Sequence, residues 1–274
     1  MHFPVADIDV SPIVPVLVGF LVAVICTPAG VSGAFLLLPF QMTVLGFTGP
    51  AVSATNLLYN VIAAPGGILK YGDEGKLHWP LIRTLIFGTL PGVFIGAVLR
   101  VQLFSQPETF KGFVGIVLVV LGIRLLLDTR TDIREQAKAS SPSSVSPQLL
   151  LLLAFVVGII GGIYGIGGGA IVAPFLVAVF GLSVYWVAGA ALVATFITSA
   201  AGVLSFEIVS VLETQAARSF SPDWLLGTLL GIGGLLGSYM GASLQRFIPQ
   251  RAIKVILALL IFVVGATYVA PFFT

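Results

Sequence analysis

The sequence predicts an all-α polytopic membrane protein made of two homologous halves. Three observations carry that expectation. First, 58% of the 274 residues are hydrophobic and 9% are charged, against roughly 25% charged in a soluble domain, and the mean hydropathy is +1.11. Second, a Gly-rich interruption followed by Pro-Phe occurs twice inside apolar sequence, once in each half. Third, the only long polar stretch, from Arg130 to Pro147, divides the chain near its middle.

About 20 apolar residues cross a bilayer. Apolar segments run over roughly 12–46, 50–70, 79–100, 109–127, 147–181, 184–206, 222–245 and 252–271. The residues before the first segment lack the basic run of a signal peptide, so that segment is expected to be retained. Segments 12–46 and 147–181 are too long for one untilted crossing, and both contain a Gly break. Each is either a long broken helix or a hairpin that leaves where it entered. The three segments after each break are single crossings. Ser140 to Ser144, with Pro142 inside, reads as part of a flexible cytoplasmic linker. The expected organisation is a first membrane repeat over 1–128, a polar linker over 129–146 and a second repeat over 147–274.

The breaks align residue by residue. Gly30, Ser32, Gly33, Pro39 and Phe40 correspond to Gly165, Gly167, Gly168, Pro174 and Phe175. Ala54-Thr55 matches Ala194-Thr195 after a short shift. Gly88, Gly92, Gly96 and Ala97 match Gly233, Gly237, Gly241 and Ala242, giving each helix a face for close helix contact.

Basic residues concentrate on the cytoplasmic side of a membrane. With two hairpins and an outside N-terminus, Lys70, Lys76, Arg83, Arg124, Arg130, Arg134, Lys138, Arg246, Arg251 and Lys254 fall inside, and Arg100, Lys111 and Arg218 outside. Eight simple crossings separate them less well, eight to five. The hairpin layout leaves each half an odd number of crossings, which makes the halves inverted repeats.

Composition also narrows the chemistry. All eleven acidic residues lie at segment ends or in connections, which argues against a carboxylate-built cation site or proton relay. Cys26 is the single cysteine, and His2 and His78 lie outside the apolar cores, so no metal site and no cofactor are expected. A net charge of +2 implies no nucleic-acid partner. Gly165 to Gly169 lacks the Lys of a phosphate-binding loop, and no nucleophile–base pattern marks an enzyme.

The glycines themselves suit an anion. A helix N-terminus presents unpaired N–H groups with positive partial charge, and an unwound backbone survives in a bilayer only where protein or a watery cavity covers it. The candidate solute-binding residues are Gly30, Ser32, Gly33, Thr55, Asn56 and Asn60 in the first half. Gly165, Gly167, Gly168, Gly169, Thr195, Thr198 and Ser199 are those of the second. Tyr59 and Tyr164 are candidates for the walls, and Arg83 reads as a cation reaching for the interface. The expected partners are a small anionic solute and the lipid bilayer. The pattern specifies no oligomeric state.

Gly165, Gly167, Gly168 and Gly169 with Pro174 and Phe175, the later Ala194-Thr195 and their first-half counterparts resemble the sulfite exporter TauE/SafE family over nearly the whole chain. In that family's pattern glycine is favoured where this chain has Ser32 and Ala34. The resemblance implies a transporter of sulfur-containing oxyanions or small organic anions, such as sulfite or sulfonates, in a prokaryotic plasma membrane. Export is the expected direction, because an anion leaving a negative interior moves down the membrane potential. A channel-like anion pore, or a cation-coupled importer of an organic anion, are the alternatives.

Overall fold

The computed structural model describes residues 1–128, 146–180, 182, 184–212, 220–247 and 250–272. The polar linker expected over 129–146 lies outside them except for Ser146, and so do Arg130, Arg134, Lys138 and Arg218. Ten helices account for nearly all the described chain, and five of these, among the described residues, are long and apolar enough to cross a membrane.

A two-stranded antiparallel ribbon, β1 (His2–Phe3) with β2 (Ile8–Asp9), precedes the first helix. Helix α1 (Ile13–Cys26) ends in a short 3-10 turn holding Pro28, and Gly30 then takes φ 73°, a left-handed conformation open to glycine. Helix α2 (Ala34–Thr43) starts after Gly33. Helix α3 (Ala51–Asp73) follows Pro50, and α4 (Trp79–Gln102) is capped by His78, whose ring nitrogen accepts from the Leu81 N–H at 3.3 Å. Helix α5 (Pro107–Asp128) completes the first half.

The second half repeats this order. Helix α6 (Pro147–Tyr164) stops at Gly165, φ 87°, and α7 (Gly168–Phe180) restarts after Gly167. Helices α8 (Val184–Leu212), α9 (Trp224–Leu244) and α10 (Gln250–Val269) follow.

Both long apolar segments are hairpins. A Cβ built on Gly33 would stand 3.3 Å from the Ala23 nitrogen, ten residues back along the chain, where a straight helix would put them about 15 Å apart. Residues before α1 (Pro4 to Ile8) and after α2 (Leu45 to Ala51) line one cavity of about 650 Å³, so the hairpin's two ends share a side. In the second half a Cβ on Gly161 would stand 3.1 Å from the Gly168 Cα.

Contacts between the halves come in exchanged pairs. Helix α1 packs on α9 and α6 packs on α4; α3 packs on α9 and α8 on α4; α5 and α10 pack on each other. The small-residue faces make the closest of these. Gly88, Gly92 and Gly96 of α4 meet the backbone of α6 at Leu151, Phe155 and Ile159, while Gly233 and Gly237 of α9 meet that of α1 at Val16 and Phe20. With no side chain in the way, backbones approach closely enough for dispersion to hold helices that the hydrophobic effect cannot hold in lipid. These registers make α1 and α3 parallel to α9, and α6 parallel to α4. Arg100, near the end of α4, reaches Ser53 near the start of α3, so α3 and α4 run oppositely. Helices α1 and α6 therefore run in opposite directions.

Candidate functional site

One face of α3 ties the two Gly breaks together. Ser53, Asn56 and Asn60 are spaced by three and four residues, which puts them on one side of a helix. Each donates to a carbonyl at the second break: Ser53 Oγ to Ile163 at 3.1 Å, Asn56 Nδ2 to Gly165 at 2.9 Å and Asn60 Nδ2 to Ile166 at 2.9 Å. The same asparagines hold the first break. Asn56 Nδ2 also donates to the Ala34 carbonyl at 3.0 Å, and the Ser32 hydroxyl donates to Asn60 Oδ1. Ser32 Oγ in turn accepts the Ala34 N–H at 3.2 Å, at the start of α2. Gln41 Nε2 stands 3.3 Å from Asn56 Oδ1. Tyr164 adds a tie between the halves, its hydroxyl donating to the Phe35 carbonyl at 2.9 Å.

The first break is thus held by its own neighbours. The second break has an open shell. The Gly168 N–H donates to Thr198 Oγ1 at 3.3 Å. Beside it Thr195 Oγ1 and Ser199 Oγ are buried and have no hydrogen-bond partner. Both residues are 0% exposed, and a buried hydroxyl without a partner is unusual enough to require an explanation. They face the glycines: a Cβ on Gly169 would lie 2.7 Å from Thr195 Oγ1, and one on Gly167 would lie 2.7 Å from Ser199 Oγ. The nearest atoms to these Cβ positions are hydroxyl and backbone atoms, with no carboxylate among them. Gly167 has φ 70°, and a side chain on Gly169 would collide with the Ala191 carbonyl. The first turn of α7 has three hydroxyls packed against it, two of them unpartnered, beside a helix end whose N–H groups favour negative charge.

Of the expected residues, Ser32, Asn56, Asn60, Gly165, Gly167, Gly168, Gly169, Thr195, Thr198 and Ser199 converge here, and Gly30 and Gly33 shape the first break. Thr55 stands apart. Its hydroxyl donates to the Ala51 carbonyl at 2.8 Å and accepts the Asp223 N–H at 2.8 Å. Asn56 meets Ala34 as Thr195 meets the aligned Gly169, so Asn56 and not Thr55 holds the place of Thr195. Asp223 caps α9 by accepting from Leu226 at 2.9 Å and grips the N-terminal ribbon through the Val5 and Ala6 N–H groups, each at 3.1 Å. Arg83 is exposed, as an interfacial cation would be.

Arg100, counted among the charges of the outer side, is buried within the protein. It is 0% exposed. Its guanidinium stacks over Phe110 at 3.5 Å and donates from Nε to Ser53 Oγ at 3.0 Å, from Nη2 to the Gly49 carbonyl at 3.2 Å and from Nη1 to the Phe104 carbonyl. Ser53 and Arg100 both escaped the sequence reading. For Ser53, the spacing to Asn56 and Asn60 was the available signal.

Two interlocked hairpins and, among the described residues, five helices long and apolar enough to cross a membrane define a multi-pass membrane protein. The sulfite exporter TauE/SafE family model matches residues 15–268, and the chain belongs to that family. It is similar to the probable membrane transporter protein YjnA of Bacillus subtilis, at 27% identity over 91% of this chain and 96% of the relative. It is also similar to YunE of the same organism, at 24% over 93% and 96%, and to a probable membrane transporter protein of Haemophilus influenzae, at 24% over 91% and 94%. No solved structure matches. The chain is a membrane transporter.

Proposed function

We propose that this transporter is a secondary carrier, without enzymatic activity, for a small sulfur-containing oxyanion or organic anion of the sulfite or sulfonate class. It acts in the plasma membrane of a prokaryote, in the outward direction. The solute sits against the first turn of α7, held by the Gly169 N–H and the Thr195 and Ser199 hydroxyls, while Thr198, whose own proton goes to the Ala194 carbonyl, orients the Gly168 N–H. The two repeats, 1–128 and 147–274, are inverted about an axis in the membrane plane, and their rocking alternates access. The opposite directions of α1 and α6 support that arrangement.

One observation carries the reading: two fully buried hydroxyls with no partner converge on the N-terminal glycines of α7. The burial of Thr195, Thr198, Ser199, Asn56 and Asn60, none more than 1% exposed, supports alternating access over an open pore.

The test is efflux of sulfite from liposomes containing the purified protein, with the membrane potential set by a potassium gradient. The expected result is saturable efflux that accelerates as the interior is made negative, since each charge gains about 2.3 kcal/mol per 100 mV. Absence of flux for sulfite and for a panel of sulfonates and carboxylates would overturn the assignment, and flux that never saturates would point to a pore.

A further inference from the structure

We infer that Arg100 is a positioning residue for the anion: through Ser53 it neutralises the negative end of α6 and so makes the second Gly break hospitable to negative charge. This rests on the proposed site at the first turn of α7.

The break poses an electrostatic conflict. The N-terminus of α7 attracts an anion, yet the C-terminus of α6 lies only a few residues upstream along the chain. The last carbonyls of a helix carry about half a negative charge, concentrated in the final turn. An anion at Gly168 and Gly169 would feel both ends. The chain answers with side-chain donors on three carbonyls at that end, Ile163, Gly165 and Ile166. Asn56 and Asn60 cap Gly165 and Ile166 with neutral amides. Ile163, in the last turn of α6, is capped by Ser53, and Ser53 alone of the three is itself bonded to a cation. The Arg100 Nε–H donates to Ser53 Oγ, which frees that hydroxyl's proton for the Ile163 carbonyl. The chain Arg100 to Ser53 to Ile163 delivers a positive field to the end that needs it.

The rest of the Arg100 environment fits this role. A buried charge is costly unless paired or hydrogen-bonded. No carboxylate lies within salt-bridge distance of Arg100 among the described residues. Carbonyl oxygens of Gly49 and Phe104 and the face of Phe110 take up the guanidinium instead. These partners are dipoles and a ring, so the net positive charge survives. In a site sealed from water such a charge acts at longer range than it would in solvent. A carboxylate partner would have cancelled it.

The experiment compares wild type, Arg100→Gln, Arg100→Lys and Ser53→Ala, all full-length and reconstituted in liposomes, with sulfite as probe. The folded fraction is fixed beforehand by size-exclusion profile and thermal midpoint. Arg100→Gln is expected to raise KM for sulfite about tenfold, the scale of a helix-end charge in a partly buried setting, with a smaller fall in maximal rate. Loss of binding shared by ground and transition states has that signature. Arg100→Lys, which keeps the charge, is expected to restore KM to within about threefold of wild type. Ser53→Ala is expected to raise KM about threefold, and it carries the test if Arg100→Gln does not fold. An unchanged KM in the folded Gln variant, or in Ser53→Ala when the Gln variant does not fold, overturns the inference. So does a Lys variant no better than Gln. Silence of the wild-type protein toward sulfite and the anion panel would instead sink the site assignment itself.

Discussion

Asn60 donates its side-chain amide to the carbonyl of Ile166 at 2.9 Å, across 106 residues of sequence. The same side chain accepts the Ser32 hydroxyl, so one amide locks both unwound segments into a single unit. An amide has a donor end and an acceptor end on separate atoms. Asn60→Leu keeps the approximate volume and removes both bonds. It leaves the Ile166 carbonyl unpartnered and the Ser32 hydroxyl proton without its acceptor, though Ser32 still accepts from Ala34, at a cost of about 1–3 kcal/mol per buried unsatisfied group. The expected outcome is a thermal midpoint in detergent lowered by several degrees, together with loss of transport.

Thr195 offers a sharper test because stability and function should move in opposite directions. Its hydroxyl is buried and unpartnered, so the folded protein bears the desolvation cost of that group with no return. Thr195→Val removes it at nearly constant shape. The thermal midpoint is expected to stay level or rise by a few degrees, while KM for the solute rises about tenfold, as for loss of one ligand hydrogen bond. A stabilised protein with unchanged KM would remove Thr195 from the site.

Gly169 tolerates no side chain. A Cβ there would lie against the Ala191 carbonyl and 2.6 Å from the Thr195 nitrogen, both backbone atoms that cannot step aside. Gly169→Ala is expected to displace α7 from α8 and to cut transport at least tenfold, with some loss of folded protein. Gly72→Ala is the matched control, since its nearest neighbour is Leu77 Cδ1 at an ordinary 3.6 Å. Flux measured per folded molecule separates the two.

Gly237 probes the packing between halves. A Cβ on it would meet the Phe20 carbonyl and stand 2.9 Å from Ala23 Cβ. Gly237→Val should separate α1 from α9 and destabilise by about 1–3 kcal/mol or more. The loss would be read as a lower thermal midpoint and a reduced monodisperse yield. Gly92→Val should do the same to α4 and α6, where a Cβ would stand 2.8 Å from the Ile159 nitrogen.

The α3–α4 turn carries a pH-dependent tie. A hydrogen bond from Lys76, joined by Lys70 at 3.3 Å, holds the Glu74 carboxyl below its ordinary pKa. A carboxyl depressed in the folded state stabilises above its unfolded pKa, and that contribution is lost as pH falls through the folded value. Glu74 and Lys70 are half-buried and Lys76 is buried, so Glu74→Gln should lower the thermal midpoint by a few degrees at neutral pH. The difference from wild type should vanish in acid, below the ordinary glutamate range.

Much of this arrangement was legible beforehand, for physical reasons. Glycine at left-handed φ and small residues every fourth position are local signals, and they located the breaks at Gly30 and Gly165 and the contact faces of α4 and α9. Asn56 and Asn60 stood out because an amide in apolar sequence must find partners. Arg100 did not, because a cation near the end of a span reads as an interface residue. Its burial depends on Phe110, Gly49 and Phe104 folding over it, and no periodicity encodes that. Thr55 lies one residue before Asn56, and it is Asn56, on Ala34, that takes the place Thr195 takes against Gly169. Thr55 instead fastens the Asp223 loop.

The exchanged packing of α1 on α9 and α6 on α4 has a consequence for how the molecule is made. Helix α1 has its main companion more than 200 residues downstream. Within its own half the first hairpin is held by α3, through Asn56 on Ala34 and Asn60 on Ser32. The face of α1 that α9 covers stays uncovered until α9 has been made. A chain stopped before α9 is expected to keep the turn at Gly30 and to lack the seat for α1.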